Sequence, residues 1–121
     1  MAPWRAPALK VFYCPQQSVP ENESYSPSAG KPERLMVQWR ERYPIEVLAP
    51  TPVTPQELCL AHDPDYVLPV LAGRRENGFN NTSAAVAASL PWTTGSLVSA
   101  ARHVLENGGA ACSPTSGFHH A

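Results

Sequence analysis

Two adjacent histidines, His119 and His120, are the residues whose type and spacing point most directly to chemistry. They follow Gly117 and Phe118 in a short segment typical of a loop. One imidazole of such a pair can take a proton from water while its neighbour supplies positive charge or a proton to a leaving group. Each needs an orienting partner, usually a carboxylate. A His-His-Ala sequence at the end of a chain can equally be a solvated segment or the remnant of a tag.

The other candidate residues favour structural interpretations. Residues 62–65 combine a histidine with two aspartates, as metal sites do, but Asp63 before Pro64 is typical of a helix N-cap. Cys112 is close enough in sequence to the histidines for a Cys–His pair, although its small apolar neighbours favour a cysteine packed in a strand. The three cysteines form no C-x-x-C pair, so the sequence indicates neither a zinc knuckle nor a disulfide framework.

Composition limits the class of protein. The 121 residues are 43% hydrophobic, which is enough for one folded domain spanning 1–121. Nine Lys and Arg against ten Asp and Glu give a net charge of −1, without the basic excess of a nucleic-acid binder. No apolar run reaches the ~18 residues of a membrane span, and the first residues lack the apolar stretch of a secretory signal. We therefore expect a cytoplasmic protein that binds neither nucleic acid nor membrane.

The hydrophobic pattern predicts alternating strands and helices. Short apolar runs indicate strands over 9–14, 45–50 and 110–112. Helical spacing and capping signals indicate helices over 32–43, 55–62, 64–72 and 89–107. In the last helix, apolar residues recur at i, i+3, i+4, i+7 and i+8, namely Leu97, Ala100, Ala101, Val104 and Leu105. This order predicts an α/β fold with parallel strands, in which functional groups gather in loops such as those after Cys14 and Cys112.

A set of short motifs follows the chain in a fixed order. They are KVFY at 10–13, GKPER at 30–34, LAHDPDYV at 60–67, ENGF at 76–79, PWTTGS at 91–96 and SGFHHA at 116–121. Together they resemble the N-terminal part of the histone deacetylase superfamily, and most of all its bacterial acetylpolyamine amidohydrolases and acetoin-utilisation type deacetylases. The last motif is similar to the catalytic Pro-Gly-His-His-Ala loop of that family.

The resemblance implies a three-layer, arginase/deacetylase-like α/β fold with a parallel eight-stranded sheet. This chain would then hold a truncated edge of that sheet, about three strands with flanking helices. The family's enzymes use one zinc ion, held by two aspartates and a histidine, to activate water against an acetyl-amide. His119 and His120 correspond to the catalytic general base and general acid. The residues that meet the substrate correspond to Gly117, Phe118, Glu76, Asn77, Gly78 and Phe79, whereas residues 62–63 match a structural position.

One departure from the family changes the functional expectation. The zinc ligands, an Asp-x-His pair and a further aspartate, lie downstream of the tandem histidines in the family and are missing from this sequence, which ends at Ala121. We therefore expect a catalytically incomplete N-terminal third of the family fold, with no cofactor in this chain alone. The uncovered strand edge and apolar faces predict a homo-oligomer, most simply a symmetric dimer.

Two alternatives stay open. The first is a working hydrolase of acetylated amines or small acyl substrates, in which oligomerisation completes the site around His119 and His120. The second is a non-catalytic module that binds an acetylated amine or a polyamine-like small molecule.

Overall fold

A three-stranded parallel sheet forms the centre of the protein. The structure is a computed structural model that describes residues 6–20 and 27–115. The strands are β1 (Leu9–Phe12), β2 (Ile45–Leu48) and β3 (Ala111–Cys112), and their order in the sheet is β2-β1-β3. In the register, Leu9 pairs with Ile45, and Val11 pairs with both Val47 and Cys112. The predicted α/β class with parallel strands is confirmed.

Helices flank this sheet. The four α-helices are α1 (Lys31–Arg42), α2 (Pro55–Leu58), α3 (Pro64–Leu71) and α4 (Ala84–Asn107), and two 3-10 turns cover Pro15–Gln17 and Pro27–Gly30. Within the described residues, none of these helices is both long and apolar enough to pass through a bilayer. Two predicted boundaries differ from the structure by more than two residues: α2 ends at Leu58 and not at position 62, and α4 begins five residues before position 89.

Local side-chain bonds explain where α2 and α3 begin. Thr54 and Glu57 form the predicted capping box, in which the Glu57 N–H donates to Thr54 Oγ1 and the Thr54 N–H donates to Glu57 Oε1, both at 3.1 Å. Asp63 is the N-cap of α3, because its Oδ1 accepts from the Asp65 N–H at 2.9 Å. The capping interpretation of Asp63 is therefore confirmed.

The two faces of the sheet pack against different helices. Successive side chains of a strand point to opposite faces, so Val11 and Phe12 lie on opposite faces of the sheet. Val11 and Tyr13 are buried with Met36 of α1, and Trp39, Ile45 and Cys112 pack around them. Phe12 contacts α4, where its ring lies 5.6 Å from that of His103. Helices therefore cover both faces of the sheet. Helix α1 packs on the face that carries Val11, and α4 packs on the face that carries Phe12.

Candidate functional site

The carboxyl ends of β1 and β3 are joined through a serine of α4. The Ser96 hydroxyl, which is fully buried, donates to the carbonyl oxygen of Phe12, the last residue of β1. Its oxygen lies 2.6 Å from that of Ser113, the residue after β3. Since Ser96 has one proton and gives it to Phe12, Ser113 is the donor in the second bond. The chain that leaves β3 therefore starts beside the end of β1.

The predicted catalytic loop follows Thr115 in the sequence. Gly117, Phe118, His119 and His120 are outside the described residues. The described path after β3 runs through the buried Pro114 to Thr115, whose N–H donates to the Ser113 carbonyl at 2.9 Å. The roles of the tandem histidines and of the two residues before them stay predictions.

Residues 76–79, which the resemblance predicts to meet the substrate, form a loop, here called the rim loop, that is held by amide hydrogen bonds. Asn77 is 5% exposed, and its Oδ1 accepts from the Phe79 N–H at 2.8 Å. Its Nδ2 donates to Asn81 Oδ1 at 2.8 Å, and that same oxygen accepts from the Ser83 N–H at 3.0 Å. Asn80 completes the turn with φ of 59°, in the left-handed region that asparagine tolerates better than most residues. Asn77 thus connects the loop to the N-cap of α4.

Burial divides the four residues of the rim loop. Phe79 is packed in an apolar cluster with Val19, Ala29 and Val86, while Glu76 and Gly78 are exposed. In this structure Asn77 and Phe79 hold the loop in place, and Glu76 is the side chain with open access to solvent. Contact of these residues with a substrate stays a prediction.

Sequence reasoning missed a cleft of about 310 Å³ at the carboxyl ends of β1 and β2. The loop after β2 forms one wall and the C-terminal half of α4 forms the other. Four residues with titratable or permanently charged groups line it, namely Glu57, Arg102, His103 and Glu106. The apolar lining comes from Phe12, Val53 and Val98, among others. A cleft with this lining can hold the carbon chain of a small molecule while its polar ends meet carboxylate or guanidinium groups.

Two close contacts shape the cleft. The Thr51 N–H donates to Ser99 Oγ at 3.1 Å, which holds the loop after β2 against α4. Gly95 lies under the same loop, and a Cβ at that position would overlap the Thr51 carbonyl oxygen. Arg102, His103 and Glu106 lie within five positions of one predicted helix, so the sequence alone could have identified them as a polar cluster. Their neighbour across the cleft, the loop after β2, could not be found without the fold.

The described residues do not fit the zinc site that the resemblance implies. Within 6–20 and 27–115, no group of three or more His, Cys, Asp or Glu side chains is arranged to hold a metal ion. Structural zinc needs four ligands and catalytic zinc about three. His62 is exposed, and the neighbouring Asp63 uses its Oδ1 to cap α3. The described part of the chain therefore does not supply the ligand set of such a site.

The cysteines near the strand ends are free thiols with suppressed ionisation. Burial raises the pKa of Cys112 above the ordinary value for a thiol. Burial also raises the pKa of Cys14, and it outweighs the opposing backbone hydrogen bonds at Gln16 and Gln17. The nucleophilic form of a cysteine is the thiolate. A smaller fraction of each thiol is therefore ionised at neutral pH than in a free cysteine, which favours the packing interpretation of Cys112.

The α/β arrangement, the strand ends joined through Ser96 and the cleft along α4 are the features of the described residues that bear on function. The chain matches no protein-family model, no curated protein and no solved structure.

Proposed function

We propose that this chain is a histone-deacetylase-like polypeptide that acts as a self-associating module and is catalytically incomplete as a single chain. In this proposal the sheet is one edge of an arginase/deacetylase-like fold. His119 and His120 correspond to the tandem catalytic pair, and the sequence has no Asp-x-His zinc-ligand motif beside them. The partner is a second copy of the chain.

The observation that carries the proposal is the sheet order β2-β1-β3 with all strands parallel. It supports the resemblance because the three strands are neighbours, as they would be at the edge of the family's larger sheet. It also supports self-association. Within the described residues no strand pairs with the outer edge of β3, and unpaired strand edges favour association with another chain.

The joined strand ends support the site assignment. In a parallel sheet, side chains after neighbouring strands meet at the same edge. The bonds of Ser96 to Phe12 and Ser113 bring the residue after β3 to the end of β1, at the sheet edge where the α/β order predicts functional groups. The general base and general acid roles of His119 and His120 are part of this proposal.

Turnover of an acetylated polyamine, measured with and without added zinc, tests the catalytic part. We expect the purified chain to release no more acetate than its His120→Ala variant. Zinc-dependent acetate release that the His120→Ala substitution abolishes would overturn the proposal and support the hydrolase alternative. Light scattering on the same samples reports whether the tested protein is a single chain or an oligomer.

The cleft along α4 favours a second candidate function, a non-catalytic module for a small amine. Glu57 and Glu106 line this cleft together with the apolar Phe12 and Val98 and the cationic Arg102. Carboxylates beside apolar side chains suit an alkyl chain that carries a protonated amine. Calorimetric titration with an acetylated polyamine tests this function. Glu106→Gln should weaken binding several-fold, whereas Glu41→Gln on the exposed surface of α1 should leave it unchanged.

A further inference from the structure

The cleft at the carboxyl ends of β1 and β2 holds charged groups of both signs that are not paired with each other. Arg102 and Glu106 lie four residues apart on α4, a spacing that allows an ion pair. They form none, since the ion pair among the described residues joins Lys10 to Glu46. Both side chains line the cleft. A ligand in the cleft therefore meets a free guanidinium group and a free carboxylate.

Three hydrogen-bond donors lie together on the α4 wall of the cleft. Ser99, Arg102 and His103 are spaced i, i+3 and i+4, so they share one face of the helix, and all three line the cleft. The Ser99 oxygen accepts from the Thr51 N–H at 3.1 Å, which leaves its own proton for another acceptor. The Asn107 amide nitrogen, which is a donor, lies 3.5 Å from His103 Nδ1 and favours the tautomer with its proton on Nε2. Such donors match the acceptor oxygens of a carboxylate.

Glu57 adds a second carboxylate to the cleft from a different element, α2. Its Oε1 accepts from the Thr54 N–H at 3.1 Å in the capping box, which fixes the side chain. A carboxylate has about four acceptor positions, so Glu57 can still accept from a ligand. Because the bond from Thr51 to Ser99 also holds the loop after β2 in place, the cleft is formed before a ligand arrives. A pre-formed site loses less entropy on binding.

Apolar side chains complete the lining. Phe12 and Val53 are buried, and Val98 is partly buried. They can contact a hydrocarbon chain, which gains free energy when it leaves water. The cleft volume of about 310 Å³ is at the lower end of the range for ligand pockets, so its ligand must be small.

We propose that this cleft binds a small ω-amino acid, a zwitterion with an alkyl chain between its two charged ends. The carboxylate of the ligand accepts from Ser99, Arg102 and His103. Its ammonium group donates to Glu57 or Glu106. A simple amine would leave the Arg102 guanidinium without a partner, and a simple carboxylic acid would meet two carboxylates of its own sign. This inference rests on the small-amine candidate proposed above and narrows its ligand class.

The first test compares three ligands with the same six-carbon chain. ε-Aminocaproate carries both charges, hexylamine carries only the ammonium group and hexanoate only the carboxylate. Chemical-shift titration of the isotope-labelled chain, at one pH and ionic strength, measures each dissociation constant and shows which backbone amides respond. We expect ε-aminocaproate to bind at least tenfold more tightly than either other ligand and to shift amides of α4 and of the loop after β2. The shorter γ-aminobutyrate, with butylamine and butyrate, repeats the comparison.

The second test removes one charge at a time. Arg102→Gln should weaken ε-aminocaproate at least fivefold and should not weaken hexylamine. Glu57→Gln keeps a side-chain oxygen for the capping box, and it should weaken both ammonium ligands several-fold but not hexanoate. Arg40→Gln, on α1 and outside the cleft, should leave every constant within twofold. Because Arg40 and Arg102 are both exposed, circular dichroism should show the same fold for their variants.

The outcomes separate this inference from the candidate on which it rests. If both amino acids bind no more tightly than their matched amines, the zwitterion site is wrong while the small-amine candidate stands. If hexanoate binds as tightly as ε-aminocaproate, or if no ligand shifts the cleft amides, both are wrong. An affinity for ε-aminocaproate that Arg102→Gln does not lower would also overturn the proposed carboxylate site.

Discussion

The buried hydroxyl of Ser96 donates to the carbonyl oxygen of Phe12 and accepts from the hydroxyl of Ser113. One side chain in the middle of α4 thereby joins the ends of β1 and β3. Buried polar groups that lose their partners are costly, so these two bonds fix the position of α4 on the sheet.

We predict that Ser96→Ala destabilises the protein by about 1–3 kcal/mol, because the Phe12 carbonyl would be left buried without its donor. Urea unfolding followed by circular dichroism measures the change. Thr115→Ala serves as the control, since Thr115 is exposed, and its effect should stay within about 0.5 kcal/mol. Equal stability of the Ser96→Ala and Thr115→Ala variants would contradict the joining role of Ser96.

Gly95→Ala should destabilise the protein although alanine is the better helix former. In an open helical position this change stabilises by about 0.5–1 kcal/mol. At Gly95 the added Cβ would overlap the Thr51 carbonyl oxygen and lie 2.8 Å from Pro52 Cα. Overpacking of this kind costs about 1–3 kcal/mol. A rise in the unfolding midpoint would show that the loop after β2 does not rest on α4.

Asn77→Ala should destabilise the protein by about 1–3 kcal/mol, because the side chain serves both Phe79 N–H and Asn81 Oδ1 from a buried position. The neighbouring Glu76→Ala should change stability by less than about 0.5 kcal/mol, since Glu76 is exposed. Thermal unfolding of the two variants distinguishes the roles. Similar losses for both would mean that the amide bonds of Asn77 do not hold the loop.

The reactivity of Cys112 should depend on pH in a defined direction. Burial raises the pKa of its thiol, so the thiolate forms at higher pH than in a free cysteine. Because the raised pKa belongs to the folded state, its contribution to stability is present below the ordinary thiol pKa and is lost as pH rises through the folded value. Alkylation by iodoacetamide, followed by peptide mass spectrometry, should be slower at Cys112 than in glutathione at pH 7.5. Faster labelling at Cys112 would contradict the suppressed ionisation.

Features set by neighbouring residues could be predicted from the sequence. The caps at Thr54 and Asp63 depend on bonds to residues two or three positions away, and both form as expected. The predicted helix over 89–107 already contains Pro91, but it misses the first five residues of α4 because Ser83 was not identified as the N-cap. Ser83 caps the helix, with its Oγ accepting from the Val86 N–H at 3.3 Å.

Features set by packing between distant segments could not be predicted. The periodicity of α4 identifies an apolar face, but which part of it the sheet covers depends on where β3 lies. The structure buries Ala100 of that face and leaves Leu97 and Leu105 exposed. The cleft at His103 likewise requires the loop after β2, about fifty residues away in sequence, to fold against the helix.

The native mass of the unmodified chain tests the central claim most directly. Size-exclusion chromatography with multi-angle light scattering should be run from micromolar to hundreds of micromolar protein. We predict a mass that reaches twice the 13.1 kDa of one chain as concentration rises. A constant mass of 13.1 kDa over the whole range would contradict self-association.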